Sequence, residues 1–198
     1  MSKQETLKNQ ILDESVKILG QQGLAGLSLR EVAKKLKVTH QAPYHYFPDK
    51  NSLLLELKKE GFSRLSRVME KAIRDTSLPV FQKMETLAMS YFDFCLENPG
   101  YFRAMFTSPA EYRSLRVAEA QQAFALLLES VQQLQKEGYL KTQSPEMIAM
   151  VCWSSLHGLV SLALDEYPVM GGKYQSRELA LQMTRTLHGL YRLTALPS

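Results

Sequence analysis

Cysteine is scarce: Cys95 and Cys152 are the only two in 198 residues. Both fall inside apolar helical patterns and match no metal spacing. They read as small buried hydrophobes of a reducing cytoplasm, and no disulfide framework is implied. Patterns for catalysis are also missing. No Ser-His-acid, Cys-His, paired-carboxylate or glycine-rich phosphate arrangement stands in a convincing context, so neither an enzyme nor a cofactor is expected. The N-terminal stretch MSKQETLKNQILDES is charged throughout and lacks the apolar core of a signal peptide, which predicts a chain that stays in the cytoplasm. Internal repeats and low-complexity tracts are absent as well.

What is present is an ordinary globular composition, 45% hydrophobic, enough for a substantial core in one large or two small domains. Charge is uneven along the chain. Residues 1–75 hold 14 Lys and Arg against 9 Asp and Glu, which leaves 10 against 11 for residues 76–198. A basic surplus of this kind suits a phosphate-binding module, and a solvated face carries one too.

The stretch LSLREVAKKLKVTHQAPYHYFPDKNSL, residues 27–53, organises the rest. Ser28 can cap a helix, Glu31 can reach back from its third position, and Leu27 can staple onto Val32. Ala33 and Leu36 continue the apolar face. After a short break Thr39 offers a second cap ahead of His40-Gln41-Ala42-Pro43-Tyr44-His45. Two short helices joined by a three- to four-residue turn make a helix-turn-helix, whose second helix enters the DNA major groove. Lys37 occupies the turn, where a left-handed backbone costs a non-glycine residue about 1 kcal/mol. Pro43 leaves two registers open. Either the second helix starts behind Thr39 and loses a bond at Pro43, or it starts at Ala42 with the proline in its first turn.

This stretch, with its Tyr44-x-Tyr46-Phe47-x-x-Lys50-x-x-Leu53 signature, resembles the DNA-binding motif of TetR-type transcriptional repressors. The resemblance implies an all-α homodimer of about nine helices. Its N-terminal domain would be a three-helix helix-turn-helix unit over residues 1–50. A helical ligand-binding and dimerisation domain would follow over residues 51–198. The partners it implies are a double-stranded DNA operator and a small-molecule effector, and no membrane. The candidate DNA contacts are Ser28, Arg30, Thr39, His40, Gln41, Ala42, Tyr44, His45, Tyr46 and Lys50. Thr39 to Ala42 should lie nearest the base edges, with Arg30, Tyr44, His45, Tyr46 and Lys50 on phosphates.

Taken in order, residues 5–22 form a first amphipathic helix ended by Gly20 and Gly23. Its Lys3 and Lys8 either touch phosphate or are simply solvated. Asp49 can cap a long helix to about Arg74, the link between reader and ligand domain. Residues 75–79 read as a linker. Helical stripes follow at Phe81–Cys95, at Tyr101–Phe106 behind Asn98-Pro99, and from Ser108-Pro109 to Glu137 with Gly138 as stop. Ser144-Pro145-Glu146 opens the run MIAMVCWSSLHGLVSLAL, apolar almost all round. Three serines, His157 and Gly158 interrupt it, which favours a buried interface helix over a membrane span. Ser176 opens the last helix.

Candidate ligand-contacting residues are Tyr91, Phe92, Phe102, Met105, Phe106, Phe124, Trp153 and His157, an aromatic and methionine set that serves equally as core. The Trp153-x-x-x-His157-Gly158 pattern resembles the Trp-x-x-x-His-Gly (WHG) subset of TetR-type C-terminal domains. Val160, Leu164, Leu179, Met183, Leu187 and Leu190 are the candidate dimer interface. With two of four histidines on the reading element, no metal site is expected. The function expected is a repressor released by an apolar or aromatic effector. The alternative is a helical interaction protein or a ligand-independent regulator.

Overall fold

A break inside the first helix already separates the molecule from a simple reading of its sequence. In the computed structural model, which describes residues 3–74, 77–106, 118–139, 143–166 and 173–193, α1 runs from Lys3 to Gly26 and passes through the glycines expected to end it. Gly23 takes φ 67° and ψ −167°, so two helical segments meet at a kink there. Only glycine adopts that backbone freely. Seven more α-helices follow: α2 Leu29–Leu36, α3 Lys50–Ala72, α4 Val80–Glu97, α5 Pro99–Phe106, α6 Ala118–Lys136, α7 Pro145–Leu164 and α8 Lys173–Leu193. A single 3-10 turn, Ala42–His45, lies between α2 and α3, and the described residues include no strand. The chain is all-α.

Two compact units are formed. The first comprises residues 1–64 and 98–120, the second residues 65–97 and 121–198. In the first, Ile11, Ile18, Leu19, Leu27, Val32, Leu53 and Leu57 bury against one another with Phe47 and Ala104. Helix α5 lies hard on α1, because a side chain at Gly100 would run into the Val16 carbonyl. Arg103 then donates to the carbonyls of Leu19 and Gly20 at 3.0 and 2.5 Å, satisfying acceptors near the point where α1 kinks. Lys8 donates to Glu56 at 2.8 Å and joins α1 to α3. Both partners are about 40% exposed, so the pair contributes at most about 1 kcal/mol.

The second unit has its own core of Val80, Phe81, Met84, Val131, Leu134, Ile148, Ala149 and Cys152. Gly138, at φ 104°, ends α6 as its position predicted. Ser144 caps α7, accepting from the Met147 N–H at 3.3 Å, with Pro145 in the first turn. Two bidentate pairs, Arg177 to Asp93 and Arg185 to Glu85, tie α8 to α4 at 2.8–3.0 Å. By length and composition α7 could cross a membrane, but it buries Ile148, Ala149, Cys152, Leu156, Leu159 and Val160 within the protein. The start of the helix expected behind Pro109, with Val117, lies outside the described residues.

Candidate nucleic-acid interface

The site begins at Ser28, whose Oγ accepts from the Glu31 N–H at 3.1 Å and fixes the start of α2. Leu29, Val32 and Ala33 bury its inner face. The other face leaves Arg30, Lys34 and Lys35 exposed. At its end Lys37 stands at φ 55° and ψ 38°, the left-handed conformation its place in the turn predicted. The Lys37 N–H returns to Lys34 at 3.2 Å and that of Val38 to Ala33 at 3.1 Å, closing the helix end with the hydrogen bonds such a residue permits.

Beyond the turn the structure decides between the two registers. Helical winding starts at Ala42, with Pro43 within the first two positions. Thr39 provides no side-chain cap: the cap position belongs to Gln41, at φ −80° and ψ −23°, and carries no side-chain cap bond either. The reading element is one 3-10 turn rather than an α-helix. Its bonds run from Ala42 N–H to Thr39, Tyr44 to Gln41 and Tyr46 to Pro43, at 3.0–3.1 Å. Pro43 suits the first turn, where its missing N–H forfeits no bond, and its carbonyl accepts from both the Tyr46 and the Phe47 N–H at 3.0 Å, which closes the turn directly ahead of α3.

The turn sorts its side chains cleanly. Pro43 and Phe47 are buried, Tyr46 packs against the first core, and Ala42 is half-buried. Thr39, His40, Gln41, Tyr44 and His45 are exposed, Tyr44 with 39% of its surface. Gln41 Nε2 and His40 Nε2 lie 3.3 Å apart. Asp49 starts α3 by accepting from the Ser52 N–H at 2.7 Å, and that bond holds its carboxyl below the usual range. Lys50 is half-buried and donates to the Leu24 carbonyl at 2.6 Å. Burial holds its pKa below the usual lysine range. Lys8, left between phosphate contact and solvation, is paired with Glu56 instead. The side chain of Lys3 lies outside the described residues.

Exposed positive charge at Lys34 and Lys35 escaped the reading of the sequence. The run Lys34-Lys35-Leu36-Lys37 was its visible signal, one charge-bearing face of a short helix.

The other expected residues divide between the units. In the second, the Tyr91 hydroxyl lies 2.9 Å from His157 Nδ1, Trp153 lies 5.8 Å from the His157 ring, and Phe124 meets Trp153 edge-on at 6.2 Å. Burial lowers the pKa of half-buried His157, raises that of the Tyr91 hydroxyl, and pushes the neighbouring Cys95 thiol up to about 12. Phe92 has no exposed surface. In the first unit, Phe102 and Phe106 pack at 5.2 Å, Phe62 and Phe106 at 5.5 Å, and Met105 sits against Gly61. Among the described residues no group of three or more His, Cys, Asp or Glu could hold a metal ion.

Of the candidate interface residues, Leu179 is exposed, while Leu164, Met183 and Leu187 are half-buried. Val160 is wholly buried within its own chain and so has no surface to offer a partner. The side chain of Leu190 lies outside the described residues. On α7 the exposed apolar residues are Met147, Met150, Val151 and Leu162. The sequence did not single these out, because a helix apolar all round does not reveal which side faces its own core.

Comparison with known proteins gives two family matches. Residues 11–57 match the tetR family of bacterial regulatory proteins, and residues 84–187 match the tetracyclin repressor-like C-terminal domain. A Bacillus subtilis (strain 168) relative, the uncharacterized HTH-type transcriptional regulator YobS, is 28% identical over 156 residues, covering 79% of this chain and 78% of its own. A protein of unknown function from Rhodococcus sp. RHA1 superposes with a TM-score of 0.78 at 26% identity, covering 96% of this chain and 95% of that one. The fatty acid degradation regulator FadR from Bacillus halodurans shares the fold, with a TM-score of 0.77 at 18% identity over 91% and 93% of the two chains.

Proposed function

The chain belongs to the TetR family of helix-turn-helix transcriptional regulators, and from that premise we propose that it works as a cytoplasmic, dimeric repressor released from a palindromic operator by a small apolar or aromatic effector. One observation carries the DNA-binding part. A capped α2 and the left-handed Lys37 present Thr39, His40, Gln41, Tyr44 and His45 together on an exposed turn whose other side is locked into the core. Arg30, Tyr44, His45 and Tyr46 position the turn through phosphates, and Thr39 to Ala42 face the bases. Lys50 acts at the edge of the same surface. Ser28 serves it through the start of α2.

Dimerisation is supported by the apolar surface left on the last two helices, Met147, Met150, Val151 and Leu162 on α7 and Leu179 on α8. Paired across a two-fold axis, that surface leaves water, and a dimer of this kind reads two half-sites about one DNA turn, or 34–36 Å, apart. The effector part rests on the chemistry of Tyr91, Phe92, Phe124, Trp153 and His157 in the second unit, aromatic side chains with the hydrogen-bonded Tyr91–His157 pair among them, suited to an apolar or aromatic ligand. Phe102, Met105 and Phe106 are the corresponding candidates of the first unit. The C-terminal domain falls in the Trp-x-x-x-His-Gly subset through Trp153, His157 and Gly158. Helix α3, from Lys50 to Ala72, is the lever: a ligand that binds one setting of it better than the other changes operator affinity by that difference.

A thermal-shift screen of hydrophobic compounds, followed by release of the protein from operator DNA, tests the whole reading. Compounds that raise the melting temperature should weaken operator binding. Stabilisers that leave DNA affinity unchanged would point instead to a regulator that ignores them.

A further inference from the structure

Two adjacent side chains on the reading turn are bonded to each other. Gln41 Nε2 lies 3.3 Å from His40 Nε2, and both residues are exposed. In this orientation the amide N–H donates to the histidine nitrogen, which corresponds to the tautomer with the ring proton on Nδ1. In that tautomer the bond opposes the turning over of the glutamine amide, which would exchange the places of oxygen and nitrogen. Held by His40 in that tautomer, the Gln41 amide presents its second N–H and its Oε1 in one order. The backbone beneath is fixed too, since the Gln41 carbonyl accepts from the Tyr44 N–H at 3.1 Å and Pro43 is buried.

In the major groove adenine offers the N7 acceptor beside the N6 donor, which complements one N–H and one oxygen. Guanine offers two acceptors, N7 and O6, and would set its O6 against Oε1. Resting on the DNA-binding reading above, we propose that His40 and Gln41 form one unit that selects an A·T pair at one position of each operator half-site. Gln41 touches the base. His40 is a positioning residue that holds the amide in the adenine-reading orientation.

Duplexes selected by the full chain from a randomised library, with affinities then measured by fluorescence anisotropy, test this. The wild type should favour A·T over G·C at one symmetric position by about 5- to 150-fold. 7-Deazaadenine, which lacks N7, should remove most of that preference. Gln41→Ala should bring the ratio close to one without changing affinity for scrambled duplex, and Gln41→Glu, with acceptors only, should shift preference toward C·G. His40→Phe keeps a ring without a lone pair and should lower the ratio several-fold, while His40→Asn, which returns an acceptor, should recover part of it. All variants are compared at wild-type helicity by circular dichroism. A selected operator whose every position is indifferent to Gln41→Ala, or a ratio unmoved by His40→Phe, overturns the proposal. A wild-type chain that selects no sequence at all fails at the regulatory reading, and takes the proposal with it.

Discussion

The ammonium of Lys50 donates to the carbonyl of Leu24 across 2.6 Å, joining the first turn of α3 to the segment of α1 beyond the Gly23 kink. A lysine at the start of α3 therefore has a task inside the protein beside the DNA contact proposed for it. Lys50→Met should lower stability by about 1 kcal/mol, read from the urea midpoint, and should weaken binding to operator and scrambled duplex by the same factor. Unchanged stability would mean that the bond to Leu24 contributes nothing in solution.

Lys37 holds a left-handed backbone at φ 55°. Lys37→Gly should stabilise by a few tenths to about 1 kcal/mol, or raise the melting temperature by about 1–4 °C for a chain of this size. Lys37→Val, branched at Cβ, should lower it. A melting temperature unmoved or lowered by glycine would contradict the turn geometry.

Two glycines should respond in opposite ways. Gly100→Ala drives a methyl into the Val16 carbonyl, and forcing α5 away from α1 should cost about 1–3 kcal/mol. Gly158 has open space around it on the exposed side of α7. Gly158→Ala should cost the isolated protomer nothing and favour its helix by up to about 1 kcal/mol. Chemical denaturation of both variants checks the pair.

These cases show which parts of the architecture could be read from residues. Ser28, Lys37, Gly138 and Ser144-Pro145 act locally, through a cap, a left-handed backbone or a fixed φ, and their roles were legible in the chain itself. The path of α1 through Gly20 to Gly26 was not, because contacts from α5 and Arg103 sustain it, and they come from more than 80 residues away in sequence. The winding at Ala42–His45 was half legible. Pro43 allowed a start at Ala42, yet the shortness of the winding shows only in its hydrogen bonds, which end at Tyr46 and Phe47. On α7 the apolar pattern announced the helix but not its sides, since Val160 inside and Met147 outside depend on where α4 and α8 pack.

His157 should make stability pH-dependent. Burial holds its folded pKa below the ordinary value of 6.5, so the unfolded chain takes up the proton first as pH falls. Its contribution is intact above about pH 6.5 and is lost progressively as pH drops toward the folded value. Between pH 7.5 and 5.5 the melting temperature of His157→Gln should fall less than that of the wild type. An equal fall would remove His157 as the group responsible.

The exposed apolar face of the last helices predicts the oligomeric state. Val151→Glu and Leu162→Glu, at positions 40% and 39% exposed in the protomer, should leave the fold intact while setting like charges across a two-fold interface. Light scattering should report a dimer for the wild type and a folded monomer for the double variant. A wild-type monomer at micromolar concentration would contradict the proposal.

The exposed turn from Thr39 to His45 is the part of the molecule proposed to read DNA sequence. The most direct test of that role is an anisotropy titration of the full chain against its selected palindrome and a scrambled duplex of equal length, at physiological salt. The palindrome should bind at least about 10³-fold more tightly, and Gln41→Ala should erode that ratio without weakening the scrambled complex. Equal affinity of the wild-type chain for both duplexes would show that the turn does not read sequence.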